Sequence, residues 1–354
     1  MQENPGVSRF ININGVTCYM NSILTILQQT PLFSDWILNL NFKDDLIKKY
    51  KNKNIDDSIF LNFYKLLTTS LKNNYKTITP TSFRDCISKI NPMWGDNQHQ
   101  DSQEFLIFLF TKLEEDISKN INIIHGRKHD QINNTPLKNL KYLIAQNYWE
   151  MFIKKEYSPI KLLFTGMFHN SIKCTKCNNE SNRFELFQNI QLSIPNNIKT
   201  YSLYELFDNY TLEEQLDKEN LLKCDFCFVK NQSKKKISLW KLPKILIIQI
   251  KRFKFNDYGI PSVKLDNFIE YPIYDLDLSN YVNSDEKAKY NLFAVNLHHN
   301  LGFGLNFGHY TSIVKNRIDN KWYHYNDEKP VQEVTQSDVL VNKNAYLLFY
   351  YKNN

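Results

Sequence analysis

Four of the chain's six cysteines fall in two C-x-x-C pairs, Cys174/Cys177 and Cys224/Cys227, set far apart in the sequence. This pattern constrains folding strongly, because it ties two distant stretches to one point. Four thiolates so arranged enclose one Zn²⁺ tetrahedrally, at about 2.3 Å per Zn–S contact. Such a set leaves no open coordination position, so the implied zinc is structural and takes no part in catalysis. Lys173, Lys176 and Lys223 lie beside the pairs and offset the negative charge of a zinc–tetrathiolate. The intervening stretch reads as strands and a helix, so the metal closes the tip of an extended β-hairpin region. Four unliganded thiols are the bland alternative. A nucleic-acid-binding zinc ribbon is the rival, with Lys234-Lys235-Lys236 in its favour. Three lysines in a row are more often a solvated turn, and no nucleic-acid partner is expected.

The remaining totals set broad bounds. The chain has 354 residues, 42% hydrophobic and 23% charged, with ample length for a sizeable core. No run of about 18 apolar residues occurs, so no membrane association is expected. The start, Met1-Gln2-Glu3-Asn4-Pro5-Gly6, lacks the basic and apolar regions of a signal peptide. A cytosolic or nuclear protein is therefore expected, and a disulfide framework is not. The formal charge of +7 is spread along the chain and reads as a solvated surface. Cys86 reads as a small buried apolar residue.

Along the chain, helical patterns come first and strands later. Tyr19, Ile23, Ile26 and Leu27 share one face of a helix over 18–29, which Pro31 ends. A second helix is predicted over 58–71, with Ile59, Phe60, Phe63, Leu66 and Leu67 inward. A third spans 102–116, with Phe105, Phe108, Leu109 and Leu113 inward. The polar stretch 117–159 reads as a surface insertion or connection. Strands are predicted over 185–194, 245–250, 292–297, 310–315, 321–325 and 345–351. Helices followed by antiparallel strands give an α+β class.

The chemistry-bearing residues lie near the two ends. Cys18, in Gly15-Val16-Thr17-Cys18-Tyr19-Met20-Asn21-Ser22, opens the first helix. Unpaired N–H groups and the positive dipole end there favour a thiolate, lowering the thiol pKa from about 8.5 towards neutrality. His309, in Gly308-His309-Tyr310-Thr311-Ser312, is the candidate base, with three of the nine glycines at 302, 304 and 308 allowing a bending loop beside it. Asn326 and Asp327, in Trp322-Tyr323-His324-Tyr325-Asn326-Asp327, are alternative orienters of that imidazole. Thiol, imidazole and amide or carboxylate are the parts of an activated nucleophile, and they need to meet only in space.

These segments resemble the cysteine and histidine boxes of the ubiquitin-specific proteases, a family of papain-like deubiquitinases. Tyr290 to His298 and Ala345 to Tyr350 extend the resemblance, as do Leu242-Pro243 and Leu246 to Phe253. Matched segments run from about residue 8 to 351. The resemblance implies one catalytic domain: a helical thumb (about 1–116), a connection (117–159), zinc-bearing fingers (160–240) and an antiparallel palm sheet (241–354). It implies Cys18 as nucleophile, His309 as base and Asn326, or else Asp327, as orienter. The family's oxyanion asparagine corresponds to Ile13 here, flanked by Asn12 and Asn14, either of which would serve after a one-residue shift. Gln100, Asp101 and Glu104, in Gln100-Asp101-Ser102-Gln103-Glu104, are implied beside the substrate tail, with His298 and Tyr310. The same acids would also cap the third helix. The implied substrate is ubiquitin joined to other proteins through its C-terminal glycine, and a monomer is expected. An inactive ubiquitin-binding scaffold and a protease for another ubiquitin-like modifier are the alternatives.

Overall fold

The computed structural model describes residues 8–39, 43–51, 54–72, 77–122, 137–195, 199–217, 219–255, 261–286, 288–300 and 308–353. The first part is helical, built on α1 (Cys18–Gln29), α2 (Ile59–Lys72) and α3 (Ser102–Ile117). All the positions predicted inward on α2 are buried, as are Phe105, Leu109 and Leu113 of α3. Phe108 is partly buried, with its ring 5.1 Å from Trp94.

Helix α1 departs from its amphipathic reading, since every residue of Cys18–Gln29 is buried. It lies between the helical layer and the sheet, so its polar face is enclosed as well. Several enclosed polar groups find partners: Asn296 Nδ2 donates to Ser22 Oγ (2.8 Å), and Arg317 N–H donates to Gln29 Oε1 (3.1 Å). Buried polar groups paired in this way avoid the desolvation cost of orphaned ones.

The 117–159 connection is more ordered than its polarity suggests. Residues 137–155 form α4 (Leu137–Lys155), and α5 (Pro159–Phe164) follows; residues 123–136 lie outside the described set. Polar residues on all sides of α4 blur its helical period. Its Ala145 is nevertheless buried beside Met167, Phe184 and Trp240.

Strands follow. β1 (Gly166–Cys174), β2 (Glu180–Phe187), β3 (Ile190–Ser193) and β4 (Ser233–Lys241) open this half. β5 (Ile245–Lys251), β6 (Lys289–Asn300), β7 (Gly308–Lys315), β8 (Trp322–Tyr325), β9 (Gln332–Val334) and β10 (Ala345–Lys352) complete it. β2, β1 and β4 pair in that order in an antiparallel sheet whose tip carries the four paired cysteines. The larger sheet has the order β9-β8-β7-β6-β10-β5-β3. Its pairings are antiparallel except the last, where β3 runs parallel to β5. The single strand expected over 185–194 is therefore two strands in different sheets. β3 buries every second residue, Ile190 and Leu192, whereas β2 buries Phe184 and Phe187.

The large sheet has a core on each face. Ile245, Ile247 and Phe349 pack towards the helices, while Leu246, Ile248 and Leu348 pack on the other side. Double burial explains why 245–250 reads as an unbroken apolar run. Among the described residues no helix is long and apolar enough to cross a membrane.

Candidate active site

The site forms where the start of α1 meets the start of β7. Cys18 is the first residue of α1 and 1% exposed. The backbone N–H of Tyr310, the residue after His309, faces its thiol and favours the ionised form, as do the N–H groups at the start of α1. The thiol therefore sits against the strand that carries the imidazole. The expected lowering of its pKa is corrected. Burial pushes it up to about 12, Asp327 adds to the rise, and the backbone donors offset only part of it. That shift favours the neutral thiol.

His309 lies at the head of β7, half-buried, with Nε2 2.8 Å from Asn326 Oδ1. An amide oxygen only accepts, so the imidazole carries its proton on Nε2 and keeps Nδ1 as the basic nitrogen. Asp327 Oδ2 lies farther from Nε2, at 3.8 Å. Of the two alternatives, Asn326 makes the direct contact and Asp327 stands behind it.

Asp327 has a different set of partners. Its carboxylate is 6% exposed, and its backbone is left-handed (φ 50). Oδ1 accepts from Asn21 Nδ2 at 2.8 Å, and Oδ2 accepts from Asn12 Nδ2 at 2.9 Å. Asn12 Oδ1 in turn accepts the Thr17 N–H at 2.7 Å. Asp327 thus ties the segment before Cys18 to the segment after β8. The other candidate, Asn14, donates instead to Asn97 Oδ1 at 2.9 Å, on the surface. Asn21 was not singled out by sequence reasoning. Its one signal was position, since it is three residues after Cys18 and shares that face of α1.

The five proposed tail residues divide. Asp101 caps α3, with Oδ1 accepting from the N–H groups of Gln103 (2.7 Å) and Glu104 (3.1 Å). Its Oδ2 accepts from the hydroxyls of Tyr346 (2.7 Å) and Tyr310 (3.3 Å). His298 is buried, its ring 4.7 Å from that of Tyr310 and 5.1 Å from that of Phe253. Burial, then Lys264, pushes its pKa down to about 3. Asp101, Tyr310 and His298 therefore build a wall from within and turn their polar atoms inward. Gln100 Nε2 donates to Met93 O (3.4 Å) and Asp96 Oδ1 (3.3 Å), while Glu104 is exposed.

At the hairpin tip the four sulfurs of Cys174, Cys177, Cys224 and Cys227 all lie within 4.8 Å of one another. Cys174 and Cys227 are 3.8 Å apart, and Cys177 and Cys224 are 3.6 Å apart. Each pair forms the same knuckle. The Lys176 and Phe226 N–H groups donate to Cys174 and Cys224 sulfurs, both at 3.4 Å. Asn178 and Phe228 each follow in the left-handed region at φ 58. This donor set can hold one metal ion. Lys234-Lys235-Lys236 lies within strand β4 rather than a turn, and Lys234 pairs with Glu213 at 2.7 Å.

The helical layer, the large sheet and the cysteine-tipped hairpin make up the papain-like fold of thumb, palm and fingers. A family model described as ubiquitin carboxyl-terminal hydrolase matches residues 9–350, and the chain belongs to that family. It is 28% identical over 352 residues to ubiquitin carboxyl-terminal hydrolase Usp2 of Drosophila melanogaster, which covers 99% of this chain and 35% of that protein. It is 32% identical over 340 residues to ubiquitin carboxyl-terminal hydrolase 2 of Gallus gallus, covering 95% of this chain and 91% of that one. Among solved structures, a chain of the SAGA DUB module of Ubp8, Sgf11, Sus1 and Sgf73 bound to monoubiquitin is similar with a TM-score of 0.75. That match has 26% identity over 100% of this chain and 71% of the other.

Proposed function

We propose that this chain is a thiol-dependent deubiquitinase that hydrolyses the bond between the C-terminal glycine of ubiquitin and an amine. The observation that carries the reading is the Cys18 thiol held against the backbone of the strand whose His309 is oriented by Asn326. His309 Nδ1 takes the thiol proton, and the Cys18 sulfur attacks the glycine carbonyl carbon. Negative charge on the carbonyl oxygen is met by the backbone N–H at the start of α1 and by the Asn12 amide, a kind of donor commonly worth about 3–4 kcal/mol. The carbonyl re-forms as the C–N bond breaks, and His309 passes its proton to the departing amine. Water, deprotonated by the same imidazole, then hydrolyses the thioester and frees Cys18. Asp327 steadies the transient imidazolium by its charge and holds Asn12 in place.

We assign about 1–116 to the thumb, 160–240 to the fingers and 241–354 to the palm, with 117–159 linking thumb and fingers. Zinc suits the four cysteines, because Zn–S contacts of about 2.3 Å set sulfurs about 3.8 Å apart in a tetrahedron. Cys174, Cys177, Cys224 and Cys227 would hold it, and it would lock the finger tip. The enzyme acts as a monomer in this reading.

The test is turnover of ubiquitin bearing a fluorogenic C-terminal amide. Wild type releases the fluorophore, while Cys18→Ala and His309→Ala lower the rate by roughly 10³-fold or more with the fold intact. Wild-type turnover by Cys18→Ala would remove the assignment. Competition between ubiquitin and other ubiquitin-like reporters separates the substrate from its relatives.

A further inference from the structure

Beside His309 stand two histidines that the reaction does not use. The pairing of β6 with β7 sets His299 opposite His309, and that of β7 with β8 sets His324 opposite Ile313. Paired residues share a face, as do residues two apart on one strand. His299, His309, Thr311 and His324 therefore lie on one face of the sheet. The rings of His299 and His309 are 6.4 Å apart, centroid to centroid.

The polar atoms join in sequence. Asn344 Nδ2 lies 3.4 Å from His299 Nδ1, and His299 Nε2 lies 2.8 Å from Thr311 Oγ1. Thr311 Oγ1 also lies 3.0 Å from His324 Nε2. The side chain of Gln332, opposite His324 in the β8–β9 pair, is hydrogen-bonded to the same imidazole. Proton counting fixes the direction. An amide nitrogen only donates, so His299 Nδ1 accepts and its proton sits on Nε2. That N–H donates to the Thr311 oxygen. The Thr311 oxygen has two lone pairs, so Gln332 decides the last step: its bond favours the protonated ring, as an accepting carbonyl does, which places the His324 proton towards Gln332 and leaves Nε2 to accept the Thr311 hydroxyl hydrogen. His324 therefore carries its proton on Nδ1, the nitrogen left for Gln332.

We propose that Asn344, His299, Thr311, His324 and Gln332 form a one-way hydrogen-bond chain across the sheet that positions His309 and Asn326 and keeps both flanking histidines neutral. It rests on His309 being the base. His299 is the cross-strand partner of His309, and His324 precedes Asn326 by two residues on the adjoining strand. The chain thus braces both ends of the His309–Asn326 hydrogen bond without touching the reacting atoms. Its members are positioning residues. Burial supports their neutrality, pushing His299 down to about 4 and His324 down as well. The charges facing them act in the same direction, His309, His324 and Lys264 towards His299 and His309 towards His324, while the Gln332 hydrogen bond opposes the fall at His324 without reversing it. His298, also depressed by burial, and Asp327, 3.8 Å from His309, are further titratable groups nearby among the described residues.

The experiment reads histidine tautomers by ¹⁵N NMR on the wild-type chain at pH 7.5. The expected pattern is a proton on Nε2 of His299 and on Nδ1 of His324, the peaks being assigned with His299→Gln and His324→Gln. The same tautomer on both residues, or a charged ring on either, overturns the proposal. Turnover supplies a second readout. Thr311→Val is expected to lower kcat by roughly 5–20-fold with KM for the ubiquitin reporter unchanged, and Thr311→Ser to restore it within about twofold. Unchanged kcat in Thr311→Val, or no recovery in Thr311→Ser, overturns the positioning role. Loss of the catalytic reading itself would appear separately, as turnover without Cys18.

Discussion

Gly308 shows how one missing side chain sets the position of the base. A Cβ at Gly308 would stand 1.9 Å from His298 Nε2 and 2.4 Å from its Cε1. Strands β6 and β7 close over the His298 ring only because Gly308 has no side chain. Flexibility is not its role here, which corrects the sequence expectation of a bending glycine; Gly302 and Gly304 lie outside the described residues. Gly308→Ala must displace the buried His298 ring, which packs on Tyr310 and Phe253, or push β7 and His309 away from it. Overpacking of this kind costs about 1–3 kcal/mol, and a displacement of about 1 Å in catalytic geometry costs on the order of 100-fold in rate. Denaturant midpoint and kcat should both fall, and wild-type values for both would contradict the packing argument. The same scale shows what the motifs carried and what they missed. Cys18, His309 and Asn326 were legible because their residue types and flanking strings are chemical signals. Asn21 was not, because an asparagine inside a helix looks like any other polar residue until Asp327 arrives from the far end of the chain. The thiol pKa was misjudged for a similar reason. The helix start is local and readable, whereas the burial that overrides it is assembled from distant segments.

The hairpin tip is the element whose stability depends most on something beyond its own packing. Phe226 and Phe228 are exposed at 55% and 70%, so the knuckles bury little apolar surface of their own. Phe228 also holds a left-handed backbone that bulky residues seldom adopt. Under the zinc proposal, four sulfurs held on one ion would supply the missing cohesion. Elemental analysis should find one zinc per chain. Stripping it with a strong chelator should lower Tm by roughly 5–10 °C, since about 1 kcal/mol corresponds to 2–4 °C in a domain of a couple of hundred residues. A metal-free chain with the same Tm before and after chelation would contradict the assignment. Elements were unevenly readable. α2 and α3 announced themselves by period, and β5 by its apolar run. α4 was hidden because polar residues occur all round it. The break between β2 and β3 was hidden because apolar residues recur at short intervals on both sides of it, at Phe184, Leu186, Phe187, Ile190 and Leu192.

At the scale of the molecule, the large sheet works as a partition with a core on each face. Helix α1 is clamped whole between that sheet and the helical layer. The clamp brings Cys18 to β7 across nearly the full length of the chain. The cross-links there are specific as well as apolar. Asn296 of β6 joins Ser22 of α1 to Ser102 of α3, at 2.8 and 2.9 Å. Asp327 joins Asn12 and Asn21 at 2.9 and 2.8 Å. A site assembled from such remote segments forms only when the whole fold forms, so its chemistry reports on the entire arrangement. The most direct measurement is reaction of the chain with ubiquitin ending in a C-terminal propargyl group, followed by peptide mass mapping. A single one-to-one adduct on Cys18, absent from Cys18→Ala, is the predicted result. No adduct, or one carried by Cys86 or a hairpin cysteine in place of Cys18, would contradict the account.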